Sequence, residues 1–451
     1  RQIFSRVCDQ LRRKTEAQDA ISARHGVGNS APEPSLLHAV RWEPAERVES
    51  LPTPDSDCCV VHVGQPEVAA TDAHVAAART ATGLVVSLLA DESDGSWADE
   101  SGQCWNFVSL MQQLVERGAA GRIVIVTSAS ARGAAVVGAS KAIGLEFPEF
   151  FICRVFVECD GRAAPEIAPR AASWATAYAA ETDVIATVRQ ERSPSFRVAR
   201  LRSVPLRDTV PASTSVVPPE LCYVVSGGMG GLGSALVDWL IDEQGVKAES
   251  VIVLSRRDKS HPRGARVITV DVADQSALLA NDQLAGLQNV GGLFHLAAVL
   301  EDKLALNVDR GNLDRTIRPK VGGVANLAKL VSAHGWAPDW LVCFSSTSSM
   351  GGFAGQSAYC AANAALDQLA QWGKSSLPIL TINWGPWAEA GMAAVGTKAY
   401  RTAVENGERP LTNAQGLACL ASVLHSAGAL PGASLQFTAS NCDWPRTPWA
   451  G

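Results

Sequence analysis

Residues 221–243 read LCYVVSGGMGGLGSALVDWLIDE, and this stretch decides the fold. The apolar run Cys222–Val225 leads into a glycine-dense turn, Ser226 to Gly233, and the helix-like SALVDWLIDE comes next. A chain that passes sharply from strand to helix needs glycine, because glycine tolerates positive φ and lets backbone approach a ligand closely. The helix start then offers free amide donors and a partial positive charge, the combination that holds a pyrophosphate. Gly227, Gly228, Met229, Gly230, Gly231, Leu232 and Gly233 are therefore the candidate phosphate cradle.

Downstream the same alternation of strand and helix repeats. The strands are SVIVLSR, ARVITVD, GGLFHLAA, WLVCFSS and LPILTINW, with ASLQFTAS near the end. Together with LCYVVSG they predict a doubly wound, Rossmann-like parallel sheet of about seven strands over 220–451. The second strand ends in Ser255, Arg256 and Arg257, where an NAD site would carry an acidic residue for the ribose hydroxyls. Two guanidiniums suit a 2′-phosphate instead, so the expected cofactor is NADPH. Asp271 and Val272 close the third strand, where adenine contacts are usual.

Upstream, residues 36–206 show the same layout without the glycine loop. Apolar runs DCCVVHV, TGLVVSLL, GRIVIVTSAS, FFICRVFVE and SFRVARLR alternate with helical patterns such as NFVSLMQQLVERGAAG, and HAVRWEP precedes them with the alternation of a strand. The stretch 121–146 resembles a faded copy of 340–368: it carries Lys141, but Val137 stands four residues before it. This half is expected to be a degenerate, truncated Rossmann-like structural subdomain. The polar, proline-rich 207–219 reads as a connecting segment, and 1–35 as an exposed linker or helix from a longer polypeptide.

Composition narrows the function. The 451 residues are 47% hydrophobic and 19% charged with a formal charge of -6, which excludes a disordered chain and leaves no basic footprint for nucleic acid. No uninterrupted apolar stretch of about 18 residues predicts a membrane span. With no secretory signal, the 11 cysteines are expected as reduced thiols in a cytoplasmic protein. His295 and His334 lack a carboxylate or cysteine at ligand spacing, so no metal site is expected.

Ser346 ends a buried strand, and Tyr359 stands 13 residues later in GQSAYCAANAALD. This spacing resembles the short-chain dehydrogenase/reductase superfamily, in which the Ser and Tyr face a substrate carbonyl. There the usual Lys stands four residues after the Tyr; here that position is Asn363. In the ketoreductase domains of type I polyketide synthases and animal-type fatty acid synthases, Lys and Asn exchange sequence positions. Lys320, in IRPKVGGVANLAKL, matches that family's Lys-Val-x-Gly pattern. YVVSGGMGGLG, VLSRR, FHLAAVLEDKLA and INWGPWAEAGMA resemble the same family in the same order.

The resemblance implies NADPH-dependent reduction of a β-ketoacyl thioester carried on the phosphopantetheine of an acyl carrier protein, within a larger synthase. Tyr359 would donate the proton, with Lys320 drawing the phenol toward phenolate, Ser346 binding the carbonyl oxygen and Asn363 fixing the lysine. Ala297, Ala298, Pro386 and Trp387 would border the cofactor, and Ala298 stands where the family commonly has Gly. Residues 391–403, with Met392, resemble a mobile lid over the pantetheine channel. Leu300-Glu301-Asp302 resembles the Leu-Asp-Asp loop of B-type domains, and Gly351 occupies the position of the A-type Trp. The implied product is the D-configured β-hydroxy thioester. Other readings are a nucleotide-sugar epimerase or dehydratase, which Asn363 opposes, and an inactive scaffold, which the intact Tyr, Lys and glycine loop oppose.

Overall fold

Apolar runs bounded by turn residues become strands covered on both faces, as in a parallel sheet flanked by helices. The structure, a computed structural model, describes residues 36–45, 59–63, 69–80, 83–89, 100–159, 167–177, 183–188, 194–203, 216–372, 377–391, 394–405, 407–427 and 436–442. The expected N-terminal helix, most of the connecting segment and Met392 lie outside these residues. The first half contributes β1 (Leu37–Pro44), β2 (Val60–His62), β3 (Leu84–Leu88), β4 (Gly121–Ser128), β5 (Phe150–Cys159), β6 (Asp183–Val188) and β7 (Ser195–Ser203). The second contributes β8 (Cys222–Ser226), β9 (Val251–Ser255), β10 (Arg266–Thr269), β11 (Val290–His295), β12 (Trp340–Ser346) and β13 (Ile379–Trp384). It ends with β14 (Glu408–Arg409), β15 (Gln436–Ala439) and β16 (Asn441–Cys442).

Fourteen of these strands form one sheet in the order β10-β9-β8-β11-β12-β13-β15-β1-β7-β6-β5-β4-β3-β2. The second half supplies seven strands joined in parallel, as its apolar runs predicted. In the first half β2 to β6 are parallel. There β7 and β1 run antiparallel, and β1 joins β15 through Leu37↔Ala439 and its neighbours. Alternation alone did not reveal this junction, nor β6, nor the small β14-β16 pair.

The sheet continues across the boundary between the halves, and so does the core. One buried apolar cluster runs from Phe107 and Ile143 to Leu313 and Leu366. Helix Ala131–Glu146 packs along helix Ser357–Trp372, the two elements that the sequence likeness between the halves aligned. Small residues allow the approach: a Cβ on Gly138 would stand 2.3 Å from the Cys360 carbonyl oxygen.

Candidate active site

The strand order reverses between β8 and β11, and the ends of these strands open a cleft of about 490 Å³. Such a switch point is where α/β sheets bind nucleotides. The loop from β8 fits that use. Gly227 has φ +79, and a Cβ on it would meet the Ala297 amide nitrogen at 2.8 Å. Gly230 caps helix Gly231–Asp242 with no side-chain hydrogen bond, so the first-turn amides keep their donors for a ligand. A Cβ on Gly233 would stand 2.2 Å from the Gly227 carbonyl oxygen, so only glycine lets the helix close on the turn. Met229 and Leu232 line the same wall.

Ser255, Arg256 and Arg257 lie at the end of β9 on the cleft rim, and Asp271 and Val272 lie beyond β10. Both arginines are exposed, and neither guanidinium has a carboxylate partner among the described residues. The Asp271 carboxylate accepts from the Ala273 amide at 2.9 Å, a local turn at the cleft edge. Glycine loop, rim arginines and strand ends together make a donor set that fits an extended phosphorylated dinucleotide.

Lys320 arrives from a defect in a helix. Arg318–Gly322 form a π-turn between helices Arg310–Ile317 and Gly323–His334, and Pro319 removes one amide from the regular ladder there. The Lys320 side chain is buried, and its ammonium donates to the Phe344 carbonyl and the Asn363 Oδ1, both at 2.8 Å. It stands 5.4 Å from the centre of the Tyr359 ring. Asn363 is itself fixed by donating to the Tyr359 carbonyl at 2.9 Å. The four expected catalytic side chains therefore meet, with Lys320, Ser346 and Tyr359 lining the cleft shared with the glycine loop.

His295, buried in the core, links these parts. The Lys320 carbonyl can only accept, so His295 Nε2 donates to it at 2.9 Å, and Nδ1 accepts from the Ser226 hydroxyl at 2.6 Å. Burial lowers the imidazole to about 3, so it stays neutral. The residue before the glycine loop thereby holds the turn that carries the lysine.

Burial pushes the Tyr359 phenol up to about 12, while Asn363 and Ser346 pull only partly the other way. The ammonium lies over the ring and donates to two other oxygens. Burial in turn lowers Lys320 to about 8. The phenol is thus held in the protonated form that a proton donor requires.

Residues 222–389 match the family described as KR domain. This segment is a KR domain. It is an oxidoreductase of the ketoreductase kind within the short-chain dehydrogenase/reductase superfamily, as its motifs anticipated. A phenolphthiocerol/phthiocerol polyketide synthase of Mycobacterium tuberculosis has a subunit that is 36% identical over 193 residues, covering 40% of this chain and 10% of that protein. The 6-methylsalicylic acid synthase of Aspergillus niger is 27% identical over 409 residues, 79% of this chain and 22% of that protein. The chain thus spans only a small part of the curated relatives it matches. A solved A1-type ketoreductase superposes with a TM-score of 0.71 at 22% identity, covering 91% of this chain and 94% of that one. The first ketoreductase of the tylosin polyketide synthase gives 0.68 at 21% identity, covering 92% and 94%.

On the substrate side of the KR domain, Leu300 faces the cleft. Glu301 does not line it: its carboxylate accepts two bonds from Arg315, both at 2.8 Å, and one from Asn312. These partners hold Glu301 ionised, at about 2. Asp302 accepts from Gln356 at 3.2 Å, and Gln356 reaches the cleft. Gly351 ends the short helix Ser348–Gly351 and is not among the residues lining the cleft. Ala298 and Pro386 line the cleft as expected, as does Trp387, whose ring also packs against Trp384 at 5.1 Å.

Sequence reasoning missed Glu408. It lines the cleft, is buried, and accepts a 3.3 Å bond from Thr347 beside Ser346. Burial pushes its carboxyl up to about 7. Nothing in GERPL marks it, because β14 reaches the cleft only after the chain has folded back. Among the described residues, no cluster of metal-ligating side chains and no helix long and apolar enough to cross a membrane occurs.

Proposed function

We propose that the chain reduces the β-keto group of an acyl thioester with NADPH, the acyl chain being presented on an acyl carrier protein of a larger synthase. The observation that carries this reading is the Lys320 ammonium, held by Phe344 and Asn363 beside Tyr359, in one cleft with the glycine loop. Arg256 and Arg257 at the β9 tip, which have no carboxylate partner among the described residues, support a 2′-phosphate, and hence NADPH over NADH. When bound, the nicotinamide supplies the hydride.

The chain's own residues handle charge and position. Ser346 hydrogen-bonds the ketone oxygen, and Tyr359 gives that oxygen its proton as negative charge develops there. Lys320 stabilises the phenolate left behind, and Asn363 fixes the ammonium. The glycine loop and helix Gly231–Asp242 hold the pyrophosphate. Leu300-Glu301-Asp302 supports B-type facial selectivity and a D-hydroxy product, with Leu300 against the acyl chain and the two carboxylates shaping the loop.

The test is reduction of a diketide thioester by the purified chain, with NADPH and NADH compared and the alcohol resolved by chiral chromatography. NADPH-dependent formation of the D alcohol is expected, and Tyr359→Phe should lose about a hundredfold or more in turnover, the scale of lost acid catalysis. An inert wild-type chain that still binds NADPH would mark a scaffold instead.

A further inference from the structure

The structural half lends two polar side chains to loops of the other half. Glu146, the last residue of its helix, is 4% exposed. Its Oε2 accepts from the Ala305 amide at 2.7 Å and its Oε1 from the Gly355 amide at 2.9 Å. Gln112, from helix Glu100–Glu116, donates through one nitrogen to the Ala305 carbonyl at 2.7 Å and the Val308 carbonyl at 2.9 Å. Ala305 therefore has both its amide and its carbonyl held from the opposite half.

The two loops are the two sides of the substrate wall. Residues 300–305 carry Leu300 into the cleft, and 353–356 carry Phe353 and Gln356 into it, just before Tyr359. They touch each other lightly: the Lys303 amide donates to the Gly355 carbonyl at 2.8 Å, and Gln356 donates to Asp302 at 3.2 Å. Neither Ala305 nor Gly355 has its amide in a regular ladder, so the carboxylate supplies partners that folding otherwise removes. Adhesion of the halves does not require it, because Val136, Ala139 and Ile143 on the same helix already enter the shared core. A buried carboxylate with no ion-pair partner among the described residues is costly unless its hydrogen bonds are specific. What it specifies is the register of one loop against the other.

We infer that Glu146 and Gln112 are positioning residues, which set the substrate wall and so the face of the ketone turned toward the hydride; this rests on the function proposed above. Glu146→Gln keeps the size and places a donor against one of the two amides. Gln112→Ala, at a part-buried site, frees the Ala305 and Val308 carbonyls and leaves Glu146 in place. Two readouts decide. Hydrogen–deuterium exchange of peptides spanning 300–308 and 353–358 should quicken about tenfold in Glu146→Gln, since bonds to a charged group are worth more than a factor of ten, and about threefold in Gln112→Ala, whose lost bonds are neutral. With the diketide thioester, KM and the share of the minor enantiomer should each rise severalfold, while NADPH affinity stays within about twofold of wild type. Unchanged exchange with an unchanged enantiomer ratio overturns the inference. So does a fall in kcat that only tracks the folded fraction. Should Glu146→Gln not fold, Gln112→Ala carries both readouts alone. Should the wild type not reduce the thioester, the proposed function fails while the exchange data still decide the clamp.

Discussion

Removing the Lys320 and Tyr359 side chains from water acts on them in opposite senses: it disfavours the ammonium of one and the phenolate of the other. Of this pair, with the phenol at about 12 and the lysine at about 8, the lysine titrates first as pH rises. The reactive pair is then ammonium with phenol. Raising pH first removes the charge that would receive the developing phenolate. The profile of kcat/KM, which reports the free enzyme, should fall above about pH 8. Lys320→Met should lower the rate about a hundredfold and flatten that limb. A basic limb that persists in Lys320→Met would assign it to another group. Lys320 was legible in the sequence because Lys-Val-x-Gly is a compact pattern and Asn363 announced the exchange. His295, Glu408, Glu146 and Gln112 were not. Each acts on residues far away in the chain, and periodicity carries no information about such distances.

Elements were legible where burial is two-sided. β8, β11 and β13 are buried throughout and mostly apolar, and read directly as strands, and the glycine loop marked the helix after β8. The π-turn that carries Lys320, with Pro319 beside it, was not read from the sequence. The likeness between 121–146 and 340–368 foretold two helices of similar build; their contact arises from the small residues along both. Gly138 tests that contact. On an open helix face, replacing glycine by alanine stabilises by about 1 kcal/mol. Here the new Cβ would stand 2.3 Å from the Cys360 carbonyl oxygen and 2.8 Å from the Ala364 Cβ, and a backbone oxygen has no rotamer to escape into. Gly138→Ala should therefore lose about 1–3 kcal/mol, the usual result of overpacking, in chemical unfolding. A gain in stability would mean that the helices stand further apart.

At the scale of the molecule, the split into a structural and a catalytic half describes chemistry better than it describes folding. β15 pairs with β13 on one side and with β1 on the other, so removing the first half would leave a long sheet with an open edge beside Phe437. The same cut would strip helix Ser357–Trp372 of the helix that covers it, exposing the side that carries Cys360, next to Tyr359, and Ala364. An unpaired edge and an uncovered apolar face both promote association. A chain beginning near residue 216 retains every residue assigned to the cofactor and the proton. It should nonetheless be poorly soluble, and should show no sharp thermal transition. Supplying residues 36–203 as a separate chain should restore both solubility and NADPH binding, because β1 can pair with β15 without a covalent link. If the 216–451 piece alone melts cooperatively and binds NADPH as tightly as the whole, then the sheet's passage through β1 contributes nothing to the cleft.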